Sequence, residues 1–318
     1  MKIVIVHQYY LMPGFPGGSR FNEFARMWSE AGHEVTVIAG NLDYTTGTVP
    51  DRYRGRVCVR EADGDVEVWR CSVPRSYKRG YSGRMLAFAG FTLSASWAAL
   101  KLRDADVVIA TSPPLVAVLP AWLACLRLGL KPALIFEIRD LMPESAITTG
   151  VLAPDSPLAR GLYTLERLSC AWAHRINVLT PAFRDDLLRR ELAADGKIVF
   201  IPNGADIHAF TPGAPDPEAR RALGWGGKFV VMYAGAHGRA NALGQLIDTA
   251  ERLRHRPDIQ IACVGDGPER VGLMERVRAH GLDNITFHGP VPKDRMPTLV
   301  QGCDAGAAVL QRNPTFHT

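Results

Sequence analysis

Apolar residues recur along this chain in two patterns, and the two alternate. Short continuous runs read as buried strands: KIVIV (2–6), EVTVIAG (34–40), DVVIAT (106–111), ALIFEI (133–138), RINVLT (175–180) and KIVFIPNG (197–204). Between them lie stretches with helical spacing, such as Phe21, Phe24, Ala25 and Trp28 within residues 18–31. Continuous apolar strands separated by helices predict a parallel sheet covered on both faces. One hairpin, near residues 56–71, interrupts the alternation. A two-residue turn at Asp63-Gly64 sets Cys71 opposite Arg56 and Cys58 opposite Trp69, so the two thiols are expected out of register and unbonded.

Residues 203–228 are rich in Gly, Pro and Asp and read as a connecting loop with one short helix. The strand–helix pattern then restarts with FVVMYAG (229–235), IQIACVGDG (259–267), ITFHG (285–289) and DAGAAVL (304–310). The expected fold class is α/β, with two Rossmann-like doubly wound domains over residues 1–184 and 185–318. The second shows four strands where such sheets usually have five or six, and is expected to be incomplete.

Composition sharpens this picture. The 318 residues suffice for two domains, and 47% are hydrophobic. The net charge of +5 is uneven: residues 1–184 hold 21 basic and 16 acidic side chains, and the remainder hold 16 of each. Cys71 to Arg84 contains basic residues and no acidic ones, a composition that attracts phosphates, nucleic acid or anionic lipid. A solvated basic loop would read the same way. The apolar run Met85 to Leu100 falls short of the ~20 residues that span a bilayer. The N-terminus is too short and too polar downstream for a signal peptide. The six cysteines form no CxxC pair, and reduced thiols in a cytosolic setting are expected.

Ligands of open α/β sheets bind beyond the carboxyl ends of the strands, so the loops there carry the candidate chemistry. Gly17 and Gly18 precede a helix, where bare N–H groups suit an anion, though an ordinary loop has the same look. Neither the spacing of a dinucleotide fingerprint nor a G-K-[ST] follows. In AGAHGRANAL, either Gly235 and Gly238 let a pyrophosphate approach the backbone and Arg239 pairs with it, or the segment is an ordinary strand–helix turn with a solvated arginine. Gly265, Asp266 and Gly267 make a tight turn, with Pro268 opening a helix. In FEIRDLMPES, Arg139, Asp140 and Glu144 crowd the exit of an apolar strand; they either mark the surface or line a reactive site. His7 either lines that site or is structural. The sequence has no HExxH and no carboxylate–histidine cluster, so no metal is expected. Ser112 has no His and Asp placed for a triad. No aromatic-interleaved basic motif of a nucleic-acid reader is present.

Six segments, taken in order, resemble the family 4 glycosyltransferases of the GT-B architecture: PGGSRFNEFARMWSEAGHEVTVIAG, EIRDLMPES, FIPNGAD, MYAGAHGRANAL, VGDGPE and FHGPVPKDRMP. RDLMPES with YAGAHG resembles the branch of L-fucosamine and related bacterial polysaccharide transferases. The resemblance implies a retaining transfer of sugar from a UDP- or GDP-linked donor to a lipid-linked or polysaccharide acceptor in cell-surface glycan synthesis. It implies no metal and no cofactor. Gly17 and Gly18 would embrace the donor phosphate and sugar, and Asp140 would stand beside the reacting sugar. Asn203 with Gly204 would open the second domain. Gly235, Gly238, Gly265 and Asp266 would approach the donor, while Arg239 offsets charge on the leaving diphosphate.

Two departures qualify this expectation. Asn241 stands where relatives carry a lysine, and the family's Glu-x7-Glu pair would fall beyond Thr318. A nucleotide-sugar-binding remnant or partner subunit without catalysis is therefore the alternative, with a GT-B sugar epimerase third. Arg75, Lys78, Arg79 and Arg84, with the apolar helix after them, would face the acceptor or rest on anionic lipid, giving a cytoplasmic protein peripheral to the inner face of the plasma membrane.

Overall fold

The computed structural model describes residues 1–15, 17, 20–44, 46–78 and 80–312, apart from the side chains of Lys78 and Tyr81. Eight strands form the first sheet: β1 (Lys2–Val6), β2 (Glu34–Gly40), β3 (Cys58–Asp63), β4 (Val66–Cys71), β5 (Val107–Ser112), β6 (Ala133–Ile138), β7 (Arg175–Val178) and β8 (Ile198–Phe200). Their order is β3-β4-β2-β1-β5-β6-β7-β8. All pairings are parallel except β3 with β4. The order reverses at β1, which has β2 on one side and β5 on the other. An open sheet has its ligand crevice at such a reversal.

The second sheet contains β9 (Phe229–Ala234), β10 (Ile259–Val264), β11 (Ile285–His288) and β12 (Ala305–Gly306), in the order β11-β10-β9-β12 and all parallel. Its reversal falls at β9.

Helices cover the sheets because their apolar stripes demand it. In Arg20–Glu30, Phe21 and Ala25 are buried against Ile3, Ile5, Val35 and Val37 of β1 and β2. Ser156 caps Pro157–Trp172 by accepting from the Ala159 N–H, and Thr180 caps Pro181–Arg189 by accepting from Phe183. Each has proline in its first turn, where the missing N–H costs nothing. In the second unit, Leu246, Ile247 and Ala250 of Gly244–Arg252 pack with Leu273 and Val277 of Arg270–Ala279 over β9 and β10. The fully buried Trp225 anchors Val230, Met232, Ala262 and Val264.

Two expectations are corrected here. The compact units divide after Gly204 and not after residue 184. Helix Pro181–Arg189 leads into β8, which pairs with β7 and so belongs to the first sheet. The hairpin register also differs. Cys58 stands directly opposite Cys71, and Asp63 opposite Val66. The turn residues are Gly64 and Asp65, with Gly64 at φ +60°. Glycine at the first central position with positive φ is the type II′ choice, whereas Asp63-Gly64 would place it second. Moving the turn by one residue moves each partner by two, so every side chain keeps its face. The alternation of apolar residues cannot tell the two registers apart.

Candidate active site

The carboxyl edge of the first sheet gathers buried polar groups around the reversal at β1. His7 follows β1, and its Nδ1 lies 2.7 Å from Oγ1 of Thr111 on β5, both side chains buried. Burial, helped by the Arg139 charge, pushes the His7 pKa down to about 3, so the ring is neutral. On β6, Glu137 is buried within an otherwise apolar strand and needs compensation. Arg20 supplies it: Nε donates to Oε1 at 3.1 Å, and the other nitrogens reach the carbonyls of Ile201 and Pro202 at 3.0 and 2.6 Å. Asn177 donates to the same carboxylate at 2.8 Å, and Arg139 stands 3.9 Å from it.

Asp140 comes next, half-buried. The Ser145 hydroxyl donates to it at 3.0 Å. Burial raises its pKa, against which Ser145 and the Leu141 N–H pull. Glu144 accepts from the Tyr163 hydroxyl at 2.6 Å. The charges crowding this strand exit therefore divide by task. Glu137 and Glu144 are committed to internal partners, while Asp140 keeps a carboxylate oriented by one hydroxyl.

In the second unit, the turns after β9 and β10 interlock. A Cβ on Gly265, whose φ is +135°, would stand 2.0 Å from the carbonyl oxygen of Gly235. One on Gly267 would stand 2.4 Å from that of His237. The His237 N–H donates to the Asp266 carbonyl at 2.9 Å, and the His237 carbonyl accepts from Glu269 at 3.0 Å. The structure thus brings Gly235, Gly265 and Asp266 together. Gly238 follows at once, and Arg239 opens the short turn Arg239–Asn241, exposed and with no ion pair among the described residues. His237 is fully buried, with no hydrogen-bond partner at either ring nitrogen. Burial lowers its pKa, and Arg270 adds to the effect.

The remaining candidates stand apart. Gly17 is exposed at φ +145°, and Asn203 lies in exposed coil after β8. Gly18, Arg79 and the side chain of Lys78 lie outside the described residues. Arg75 is exposed, and the exposed Arg84 places its guanidinium 5.6 Å over the ring of Tyr77. After them comes helix Gly80–Ala99, on which Leu86, Leu93 and Trp97 are exposed, with Leu100 just past its end. No described helix is long and apolar enough to cross a membrane. Among the described residues no three His, Cys, Asp or Glu side chains gather as a metal site.

Sequence reasoning missed Arg20, Glu137 and His237. A signal for the first two was present, since a glutamate inside ALIFEI must have a cation. Nothing in the sequence marked His237, whose burial depends on the turn after β10.

Two Rossmann-like sheets, the second with interlocked glycine turns at its carboxyl edge, match the architecture of GT-B glycosyltransferases. The profile of the family described as Glycosyl transferase 4-like domain matches residues 17–204, and that described as Glycosyl transferases group 1 matches residues 215–312. The first match spans more than half of the chain, and the chain belongs to the Glycosyl transferase 4-like family. It is 25% identical over 320 residues to WcaI of Escherichia coli K12, a candidate colanic acid biosynthesis glycosyl transferase, covering 98% of this chain and 77% of WcaI. Over 124 residues it is 34% identical to the D-inositol 3-phosphate glycosyltransferase of Arthrobacter sp. FB24, covering 37% of this chain and 29% of that one. Among solved structures, Anabaena Alr3699/HepE in complex with UDP and glucose superposes with a TM-score of 0.65 at 18% identity, covering 98% of this chain and 74% of HepE. HepE also has a solved structure in complex with UDP-glucose.

Proposed function

We propose that the chain moves a sugar, with retention of anomeric configuration, from a UDP- or GDP-linked donor to a lipid-linked or polysaccharide acceptor in cell-surface glycan synthesis. The observation that carries this reading is the interlocked pair of turns after β9 and β10, followed by exposed Arg239. Backbone without side chains beside a cation suits a diphosphate, and a cation that meets charge growing on the leaving group lowers the barrier. That role is given to Arg239 and not to a metal ion. Asp140, oriented by Ser145, is assigned to the reacting sugar. Gly17, Gly18, Asn203, Gly235, Gly238, Gly265 and Asp266 are assigned to the donor. The UDP-glucose complex of HepE supports a nucleotide-sugar donor, and the description of WcaI supports a polysaccharide product. The basic segment with Arg75 and Arg84, beside an exposed apolar stripe, supports an anionic membrane surface as the place where the acceptor is met.

Calorimetry with UDP- and GDP-sugars, run beside a turnover assay with and without a chelator, tests this. Binding with chelator-resistant turnover is expected. Binding without turnover would leave a nucleotide-sugar-binding protein, and the absence of binding would defeat the proposal.

A further inference from the structure

We propose that Cys58 and Cys71 are a reversible oxidation site, closing to a disulfide across the β3–β4 hairpin. The two residues are direct partners of the antiparallel pair, and their Sγ atoms are 3.8 Å apart. The Ser72 N–H donates to the Val57 carbonyl at 2.9 Å, one step outside the pair. That bond identifies Cys58–Cys71 as a non-hydrogen-bonded pair, the kind in which Cα atoms stand about 4.5 Å apart and side chains lean together. A disulfide accepts Cα separations of about 4.4–6.8 Å, so the bond needs side-chain rotation and little movement of the strands.

The two thiols are also unequal in a useful way. Cys58 is half-buried on the outermost strand, where a small oxidant can reach it; Cys71 is buried behind it. The Cys71 thiol donates toward the Cys58 sulfur and lowers the Cys58 pKa, with help from Arg60 and Lys101. The same contact, with burial, raises the Cys71 pKa. Cys58 is then the attacking sulfur and Cys71 the resolving one.

With a low-molecular-weight disulfide such as oxidised glutathione as oxidant, the steps balance. The Cys58 thiolate attacks one glutathione sulfur, the glutathione S–S bond breaks, and one glutathione thiolate leaves. The Cys71 sulfur then attacks Sγ of Cys58, and the second glutathione leaves with the Cys71 proton. Two protein thiols are oxidised and one glutathione disulfide is reduced; excess reduced glutathione reverses the exchange. The link fastens the open end of the hairpin, where the chain leaves β4. There the Cys71 carbonyl accepts from the Asn41 N–H, and Asn41 accepts from the Val73 N–H, each at 2.9 Å.

The test is to equilibrate the whole chain in glutathione buffers of rising oxidised fraction, trap free thiols by alkylation, and digest with trypsin. Cleavage after Arg56, Arg60, Arg70 and Arg75 separates Val57–Arg60 from Cys71–Arg75 unless the cysteines are joined. A linked peptide pair that disappears with excess reduced glutathione, and a thermal midpoint raised in step with it, are expected. Recovery of both peptides alkylated, or of Cys58 held as a lasting glutathione adduct, overturns the proposal. Because Cys71 is buried and its replacement can unfold the chain, C58S is the informative variant. It should lose the linked peptide and the thermal shift while the reduced protein melts as before. A thermal shift that persists in C58S also overturns the proposal.

Discussion

Gly265 meets Gly235 backbone to backbone, so that a methyl group on Gly265 would stand 2.0 Å from the Gly235 carbonyl oxygen. The φ of +135° at Gly265 also excludes ordinary side chains. G265A therefore meets a steric clash and backbone strain together. It should cost ~2–4 kcal/mol in the urea unfolding of the second unit, as overpacking and strained dihedrals do. An unchanged unfolding midpoint would show that the two turns have slack.

Glu137 and Arg20 are a buried ion pair, and removing one member strands the other's charge. E137Q should destabilise the first unit by roughly 3 kcal/mol, since broken buried pairs typically cost 3–5 and glutamine keeps some hydrogen bonds. Chemical unfolding of the variant beside the native chain measures it. A cost of a few tenths would mean that solvent already reaches the pair.

His7 gives a pH dependence with a fixed sign. Its folded pKa is about 3, whereas an unfolded histidine titrates near 6.5. Between these values the unfolded chain binds more protons, so stability rises with pH across that window. Its contribution is fully present above pH ~6.5 and is lost as pH falls toward ~3, by at most about 4–5 kcal/mol. H7N should flatten this part of the curve, read from unfolding free energies at a series of pH values. A slope identical in H7N would assign the dependence to other groups.

Arg239 is exposed, so its replacement should spare the fold and strike the reaction. R239A is expected to lower kcat/KM by ~10²–10³, the loss typical of one group that stabilises a developing charge, with R239K recovering part of it. D140N should lower kcat by ~10² or more if its carboxylate acts at the reacting sugar. Steady-state kinetics beside thermal melting checks both. Native kcat/KM in R239A would remove this residue from the donor.

Neutralising Arg75, Lys78, Arg79 and Arg84 together should weaken sedimentation with anionic vesicles at low salt. At about 1 kcal/mol per basic residue near such a surface, the loss is ~10²-fold or more. Equal binding of the variant and native chains would separate the basic segment from any membrane role.

Much of the scaffold was legible because its signals are local. KIVIV, ALIFEI and their counterparts are continuous apolar runs, and they became the mutually parallel strands of the two sheets. The helix read over residues 18–31 from Phe21, Phe24 and Ala25 became Arg20–Glu30. The site was legible as loops and much less as contacts. Arg20 and Glu137 are separated by 117 positions, and no periodicity connects them. The hairpin register was hidden for another reason: both candidate registers bury the same faces, and only the glycine's place in the turn decides between them. His237 was invisible because its surroundings come from the loop after a different strand.

The antiparallel β3 has one more effect, on how this protein behaves in a crowd of its own copies. Without β3, the free border of the first sheet would be β4, whose residues are all buried except Glu67. Such a strand is a template for joining another chain edge to edge. β3 covers it with a six-residue strand of mixed character, on which Arg60 lies 4.0 Å over the Trp69 ring and Arg60 and Glu67 pair across the strands. At the opposite border, β8 is only three residues long. The hairpin that departs from the parallel plan thus guards against aggregation, and a chain lacking residues 58–63 should gather into oligomers through the bared border of β4.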